Sequence, residues 1–330
     1  MALSDNAGRI VAAGLHGLFV VLASILFTLG LLRARRHSDP ARAGLAWLRA
    51  VFIFAITGAT LTLLTYALTL HISHNALGLA PSPAAAMRTL RIAEASMYIS
   101  TVGVFLSLVS DILLLATLVE LARGFVLTRR ARAARIAKPA YLAAAGVLGV
   151  LALVVFGMAV RYNWGVMAQV KGRTGYSGAQ MVRDTLVVAR LSGALEVLLF
   201  VGSLGVVGWV VGGVVRGAVG GVKKTVTLLL TASVVTALRA LGLMVITCLY
   251  GFAITVVEPE VLFIVRPVID LVPLLVVLAL LFVVTVRKEG GLWSAAPVGG
   301  PAMGQMGWYG QAQEGEYAPQ GAPLGGYYKP

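Results

Sequence analysis

The sequence predicts an all-α polytopic membrane protein, a bundle of seven transmembrane helices followed by a disordered C-terminal tail. Hydrophobic residues make up 59% of its 330 residues and charged residues only 12%, with a mean hydropathy of +0.90. A soluble domain carries about twice that fraction of charge. The apolar residues also come in long blocks, without the alternation of a strand or the narrow stripe of a soluble helix.

Seven of these blocks are long enough to cross a bilayer, because a helix needs about 20 apolar residues to span the hydrocarbon core. The predicted helices cover residues 9–32, 46–70, 96–121, 139–160, 187–213, 226–256 and 261–286. The first block is too long for a signal peptide and runs into Arg33 without a small-residue cleavage site. We therefore interpret it as a retained membrane helix. The third helix is expected to begin near Pro83, with Ser82 as its N-cap.

The predicted domains are a short N-terminus over residues 1–8, a membrane domain over 9–288 and a tail over 289–330. The tail is rich in Gly, Pro, Gln and Tyr, and it is expected to be disordered because it cannot bury a core. Such a tail can reach a protein partner in the cytoplasm.

Basic residues are unevenly distributed among the loops, and this predicts the orientation. The loop after the third helix carries Arg123, Arg129, Arg130, Arg132, Arg135 and Lys138. The loop before the seventh helix has Glu258 and Glu260 and no base. Because cytoplasmic loops are enriched in Lys and Arg, the N-terminus is predicted outside and the tail in the cytoplasm.

The same distribution of charge predicts the partners. The basic inner loops are expected to contact anionic lipid head groups, and the loop after the third helix is a second candidate contact for a cytoplasmic protein. The formal charge of +14 is explained by this membrane pattern, so nucleic-acid binding is not predicted. We expect the plasma membrane in preference to an internal membrane.

Five ionisable residues lie well inside the predicted helices, where each costs at least about 2–3 kcal/mol unless it meets a partner or water. They are Asp111, Glu196, Arg239, Arg266 and Asp270. Helical geometry places them on polar stripes, and Ser107 shares the stripe of Asp111. These six residues form the predicted intramembrane polar site.

Depth along each helix predicts how the charges pair. Arg239 is matched with Asp270, and Arg266 with Glu196. Asp111 is placed deeper, with no base at its own level, so it is expected to be protonated or in contact with water. Three interpretations stay open: ion pairs that only hold helices together, a ligand pocket, and a proton or ion path through Asp111 and Asp270.

The fifth helix has a second face made of glycines. This face consists of Gly202, Gly205, Gly208 and Gly212. Gly208 and Gly212 have the spacing of a small-xxx-small contact. We interpret the face as close packing on a neighbouring helix of the same chain, with homodimerisation through Gly208 and Gly212 as the alternative. The threonines of the second helix are expected to bond their own backbone carbonyls.

Seven helices, an outer N-terminus, basic inner loops and a Gly/Pro/Gln/Tyr tail together resemble uncharacterised fungal seven-transmembrane integral membrane proteins, some of which are described as receptor-like or opsin-like. The specific motifs of named families are absent. Residues 261–286 contain no lysine for a retinal Schiff base, so no cofactor is predicted. Glu120 and Arg123 have the wrong spacing for the acid-Arg-aromatic triplet of rhodopsin-like receptors.

The function predicted from these observations is that of a non-enzymatic membrane protein, because no nucleophile–base set or metal motif is present. The leading interpretation is a receptor-like or membrane-organising protein. The alternative is a small secondary transporter or lipid-handling protein that uses a polar cavity. Similar segments around Asp111 and Asp270, on two helices that run in the same direction, would fit the 3+1+3 arrangement of such a transporter.

Overall fold

The computed structural model describes residues 2–33, 43–76, 83–127, 131–172, 176–214, 223–251 and 259–286. These residues form seven α-helices and no β-strand. The helices are α1 (Ala2–Arg33), α2 (Ala43–Ala76), α3 (Pro83–Leu127), α4 (Ala131–Val170), α5 (Gly178–Trp209), α6 (Lys223–Gly251) and α7 (Pro259–Val286). A π-helical turn, Val210–Val214, continues α5. The tail predicted over 289–330 lies outside the described residues.

All seven helices are long and apolar enough to cross a membrane, which confirms the predicted fold class. Their outer surfaces carry large apolar side chains, such as Val147, Val150 and Leu153 of α4, more than half of whose area is exposed. A soluble protein rarely exposes such a surface, whereas lipid tails accommodate it. The chain is therefore a multi-pass membrane protein.

Several helices extend beyond the apolar blocks that predicted them. α3 begins at Pro83, as the proline predicted, and its 45 residues give a length of about 67 Å, well over twice the hydrocarbon thickness. α1 begins at Ala2, so the predicted N-terminus over 1–8 is helical from that residue onward. Hydropathy detects only the part of a helix inside the bilayer, and residues 252–256 of the sixth block lie outside the described residues.

The helices form a ring in which α1 packs against both α2 and α7, and α6 packs against α5 and α7. α3 is the central helix, with contacts to α2, α4, α5 and α6. The main neighbours of α4 are α3 and α5, so α4 lies at the periphery of the bundle. The polar stripes of α3, α5, α6 and α7 consequently meet in the interior. We call the end of the ring at which α1 begins the outer end, after the predicted orientation.

The inner half of the bundle is filled by apolar side chains with 1% or less of their area exposed. We call this set the leucine layer; it consists of Leu114, Leu118 and Leu121 of α3, Leu229 of α6, and Leu278 and Leu281 of α7. These side chains belong to one hydrophobic cluster. Such a layer excludes water from the path between the middle of the bundle and its inner end.

Two glycines bring α2 and α3 into close contact. A Cβ atom at Gly58 would lie 2.9 Å from Ser107 Oγ and 3.1 Å from the backbone oxygen of Gly103. A Cβ atom at Gly103 would lie 3.1 Å from Thr62 Oγ1. Small residues are used in membranes for this kind of backbone approach. The pair therefore fixes the position of the α3 polar stripe against α2.

The glycine face of α5 has a different environment from the predicted one. Cβ atoms at Gly205, Gly208 and Gly212 would meet nothing within 4 Å in the described part of the chain, and only Gly202 approaches another helix, at Leu115 of α3. The prediction of close packing within the chain is therefore wrong for these three glycines, because α5 turns this face away from the ring. Homodimerisation through Gly208 and Gly212 stays a prediction.

The hydrogen bonds predicted for the threonines of α2 are confirmed for four of them. Thr60, Thr62, Thr65 and Thr69 each donate to the carbonyl oxygen four residues earlier, at 2.7–3.0 Å. These hydroxyl groups donate their hydrogen bonds within α2, so the bonds do not join α2 to another helix.

Replacing Gly58 by alanine tests the contact between α2 and α3. The added methyl group would meet backbone atoms of α3 that cannot rotate away, so we expect Gly58→Ala to lower the stability by about 1–3 kcal/mol. Gly205→Ala is the matched control, since its Cβ points into open space, and it should be neutral or slightly stabilising. Thermal unfolding of the purified protein in detergent measures both. Equal midpoints for the two variants would contradict the close contact.

Candidate functional site

The side chain of Arg239 on α6 lies between two carboxylates from other helices and is almost fully buried. Its Nη1 donates to Asp111 Oδ1 at 2.7 Å, and its Nη2 donates to Asp111 Oδ2 at 3.3 Å. Its Nε donates to both Oδ1 and the backbone oxygen of Asp270 at 3.0 Å, and Nη2 also donates to Asp270 Oδ1. We call these residues the Arg239 triad. One guanidinium group thereby joins α3, α6 and α7.

The predicted pair of Arg239 with Asp270 is present, but the prediction that Asp111 has no base at its level is wrong. Asp111 shares the same arginine. The prediction measured depth from the outer end of each apolar block, which assumes that all block ends lie at one level. Because Asp111 and Asp270 bond the same guanidinium group, these two residues lie at one level, so the ends of the third and seventh blocks do not.

The predicted ion pair between Arg266 and Glu196 is absent from the ion pairs of the described residues. Glu196 of α5 is buried, with 7% of its area exposed, and it makes no hydrogen bond or ion pair with any described residue. Arg266 of α7 is exposed and also lacks such a partner. Glu196 and Arg266 line the same cavity as the triad without being bonded to it.

A cavity of about 660 Å³ brings all six predicted residues together. Its described lining includes Ser107 and Asp111 of α3, Glu196 of α5, Arg239 of α6, and Arg266 and Asp270 of α7. α1 and α2 complete the wall. Binding sites for small molecules typically have about 300–1,000 Å³, so this cavity has the size of a ligand site.

The cavity lies in the outer half of the bundle. On α7 its lining residues run from Leu262 to Leu274, in the first part of that helix, and on α6 they run from Arg239 to Thr247, in the last part. Both stretches lie on the side of the outer end. The Arg239 triad forms the floor of the cavity, and the leucine layer lies beneath the triad.

The wall of the cavity changes from charged at the floor to aromatic near the outer end. The rings of Tyr66 and Phe263 meet edge to face with centroids 6.5 Å apart, and His16 lies 5.4 Å from Tyr66. The guanidinium group of Arg9 lies 5.4 Å above the Phe263 ring. Aromatic side chains provide a broad apolar contact surface beside a polar floor.

The polar stripes predicted on α5 and α6 face the interior. Ser192 and Thr247 line the large cavity. Ser203 and Thr236 line a small space beneath it, next to Glu196. Their hydroxyl groups donate to carbonyl oxygens of their own helices, at 2.7 Å for Ser203 and 2.8 Å for Thr236. The hydroxyls below the floor are thus satisfied, which distinguishes them from Glu196.

A polar cluster at the inner end was not found from the sequence. Glu120 of α3 accepts hydrogen bonds from Arg123 Nε and from the Tyr141 hydroxyl of α4, both at 2.8 Å, and it is buried. The spacing of Glu120 and Arg123 on one helix face is a readable signal for their ion pair. Nothing in the sequence indicates Tyr141, because its contact depends on how α4 packs on α3.

A second missed cluster lies at the outer end, where the chain enters α5. The Tyr176 hydroxyl donates to Asp184 Oδ2 at 2.8 Å, and Arg161 Nε lies 3.2 Å from the same oxygen. Burial and the hydrogen bond to Asp184 raise the pKa of Tyr176 to about 12. The ring of Tyr176 packs on Gly165 of α4.

No group of three or more His, Cys, Asp or Glu side chains in the described residues is placed to hold a metal ion. Comparison with known proteins gives no match: no family model fits the chain, and no curated protein or solved structure is similar to it. The fungal, receptor-like resemblance therefore has no relative to support it. The chain is a multi-pass membrane protein with seven candidate spans among its described residues, and its function must be argued from the cavity itself.

Variants of the Arg239 triad test whether its three members interact. We expect Arg239→Leu to be the most destabilising single change, because it leaves two buried carboxylates without a base. Loss of one partner of a buried pair costs about 3–5 kcal/mol in soluble proteins, and membrane interiors reduce such costs. Asp111→Asn and Asp270→Asn should each cost less, since one carboxylate remains with the arginine.

The triple variant Arg239→Leu, Asp111→Leu, Asp270→Leu provides the decisive comparison. It should recover part of the loss caused by Arg239→Leu alone, because no buried charge is left unpaired. Thermal unfolding midpoints in detergent measure all variants, with Arg190→Leu on the exposed side of α5 as the control. Losses that simply add would mean that the three residues do not interact.

Proposed function

We propose that this chain is a non-enzymatic receptor-type membrane protein that binds a small molecule in the outer cavity and responds through the Arg239 triad. The observation that carries the proposal is the position of the triad. Its ion pairs form the floor of a cavity of ligand size and also join three helices that continue to the inner end. A ligand in the cavity is thus in direct contact with the groups that set the helix arrangement.

The exposure of the two carboxylates suggests how a ligand acts on the triad. The side chain of Asp270 is 25% exposed and that of Asp111 is 11% exposed, while the side chain of Arg239 is 4% exposed. A ligand donor therefore reaches Asp270 first and competes with Arg239 for its carboxylate. Weakening that pair frees α7 from α6 while α3 stays bonded to the arginine. A ligand shifts such an equilibrium only through different affinities for the two arrangements, about 1.4 kcal/mol for each factor of ten.

A small transporter is the second candidate function. It is favoured by the fact that Asp111 and Asp270, from the two helices that a 3+1+3 repeat would relate, bond the same arginine. Two carboxylates that share one base can exchange a proton or cation as the helices move. A transporter must also open a path to the inner end, and the leucine layer blocks that path in this arrangement.

The response would be read out at the inner end. We propose a cytoplasmic protein partner that contacts the tail or the loop after α3, with the basic residues of that loop also bound to anionic lipids. The plasma membrane is the proposed location, because a cavity at the outer end could then meet ligands outside the cell. An organising role without a ligand would not need an accessible cavity.

Cysteine labelling tests the proposed access to the cavity. Thr247→Cys places a thiol in the cavity wall, and Val245→Cys, two residues away and 43% exposed, places one on the lipid-facing side of the same helix. In a chain whose own Cys248 is replaced by alanine, a membrane-impermeant maleimide added to intact cells should label Thr247→Cys and leave Val245→Cys unmodified. Protection of Thr247→Cys would exclude a ligand site that is open to the outside.

The same reagent distinguishes the receptor hypothesis from the transporter hypothesis. Ser233 lies on α6 on the inner side of the triad and has 0% of its area exposed. In inside-out vesicles, Ser233→Cys should stay unlabelled if the leucine layer remains closed. Labelling of Ser233→Cys from the inner side would favour alternating access and a transporter.

A further inference from the structure

Glu196 differs from the other two carboxylates of the cavity because it has no bonded partner among the described residues. Asp111 and Asp270 share Arg239, whereas Glu196 is 7% exposed and forms no ion pair or hydrogen bond with described residues. It lines both the large cavity and the small space beneath it. Its carboxylate oxygens are not among the fully buried unpartnered atoms of the described residues, so they open onto the cavity. A cationic or hydrogen-bond-donating group of a ligand can therefore reach Glu196.

The charges that line the cavity point to the sign of that group. Three carboxylates, those of Asp111, Glu196 and Asp270, face two guanidinium groups, those of Arg239 and Arg266, among the described lining residues. Arg239 is occupied by two carboxylates at once. Arg266 is exposed and can stay solvated. Buried Glu196 therefore gains more from a ligand cation than Arg266 gains from a ligand anion. Arg9, whose guanidinium group lies over the Phe263 ring at the outer end, is a third guanidinium group near the cavity. What is missing is therefore a cation next to Glu196, and not a positive charge in the cavity as a whole.

The surroundings of Glu196 suggest the rest of the ligand. Ser192 lies one helical turn away on the same face of α5 and lines the cavity, so its hydroxyl can accept a second hydrogen bond from a donor at Glu196. Leu243 and Ile246 of α6 line the cavity too, and Tyr66 and Phe263 stand nearer the outer end. A cationic head group would thus sit at the polar floor and an apolar body against these side chains.

We propose that the cavity binds an organic monocation, a protonated amine with an apolar body, through an ion pair between its ammonium group and Glu196. This assignment rests on the proposed function, since the amine must enter from the outer end. The ligand carries a single positive charge, because a second cationic group nearer the outer end would be repelled by the guanidinium group of Arg266. The ammonium group donates to the Glu196 carboxylate and leaves the Arg239 triad intact until the ligand also contacts Asp270.

Two thiol reagents of similar size and opposite charge test the inference without a known ligand. Ser192→Cys, in the Cys248→Ala background, is treated with 2-aminoethyl methanethiosulfonate, a monocation, and with 2-sulfonatoethyl methanethiosulfonate, a monoanion. Each rate is divided by the rate of the same reagent with a free thiol in solution. We expect the cation to react about tenfold faster on this scale, because unit charges at contact distance interact strongly in a cavity of low polarity.

Adding Glu196→Gln, which keeps the size of the side chain, should remove most of that preference. Glu196→Asp keeps the charge and should retain it, which guards against a folding defect in the glutamine variant. Arg266→Gln should leave the preference unchanged or increase it. A retention profile on size exclusion like that of the parent chain checks that each variant is folded.

The outcomes distinguish this inference from the proposed function. If both reagents reach Ser192→Cys and show no preference, or a preference that Glu196→Gln does not alter, the amine assignment is wrong while an open cavity stands. A preference for the anion that depends on Arg266 would also overturn it. If neither reagent modifies Ser192→Cys, the cavity is closed to the outside, and the proposed function fails together with the inference.

Discussion

The guanidinium group of Arg239 is held by carboxylates from two other helices, and only 4% of its side chain is exposed. Removing one partner from such a pair leaves a buried charge, so α3, α6 and α7 are constrained to meet at this level. The cavity above and the leucine layer below both follow from that constraint. Ion pairs that only hold helices together would not need to border an open space. The position of the Arg239 triad at the floor of the cavity therefore links the fold to the proposed response.

Close backbone contacts make the meeting of these helices possible. A Cβ atom at Gly242 of α6 would lie 2.6 Å from Ile269 Cγ2 of α7, one turn along α6 from Arg239 and next to Asp270. Gly58 and Gly103 do the same for α2 and α3. Small residues thus bring the helices near enough for the charged side chains to bond. The glycines of α5 look similar in the sequence but face outward, so spacing alone does not identify the packed face.

The sequence was sufficient for the features that depend on local or additive properties. Hydropathy located seven spans, Pro83 marked the start of α3, and the helical repeat placed Ser107 and the five charged residues on faces that line one cavity. Contacts between side chains of different helices were harder to predict from the sequence. The pair of Arg239 and Asp270 was predicted, but the second carboxylate, Asp111, was not, because the ends of the apolar blocks do not mark one common level on α3 and α7. The pairing of Glu196 with Arg266 failed because helix position around the ring, and not depth alone, decides which side chains meet.

The contact of Arg239 with both aspartates can be measured directly by solid-state nuclear magnetic resonance of the protein in lipid. Dipolar coupling between ¹⁵N-labelled arginine side chains and ¹³C-labelled aspartate carboxyl groups reports such contacts, and a contribution from Arg161 and Asp184 provides an internal reference. If Arg239 bridges the two helices, Asp111→Asn and Asp270→Asn should each remove part of the coupling, and Arg239→Lys should remove both parts. Coupling that is unchanged by Asp111→Asn would contradict the shared arginine on which the cavity floor and the proposed response depend.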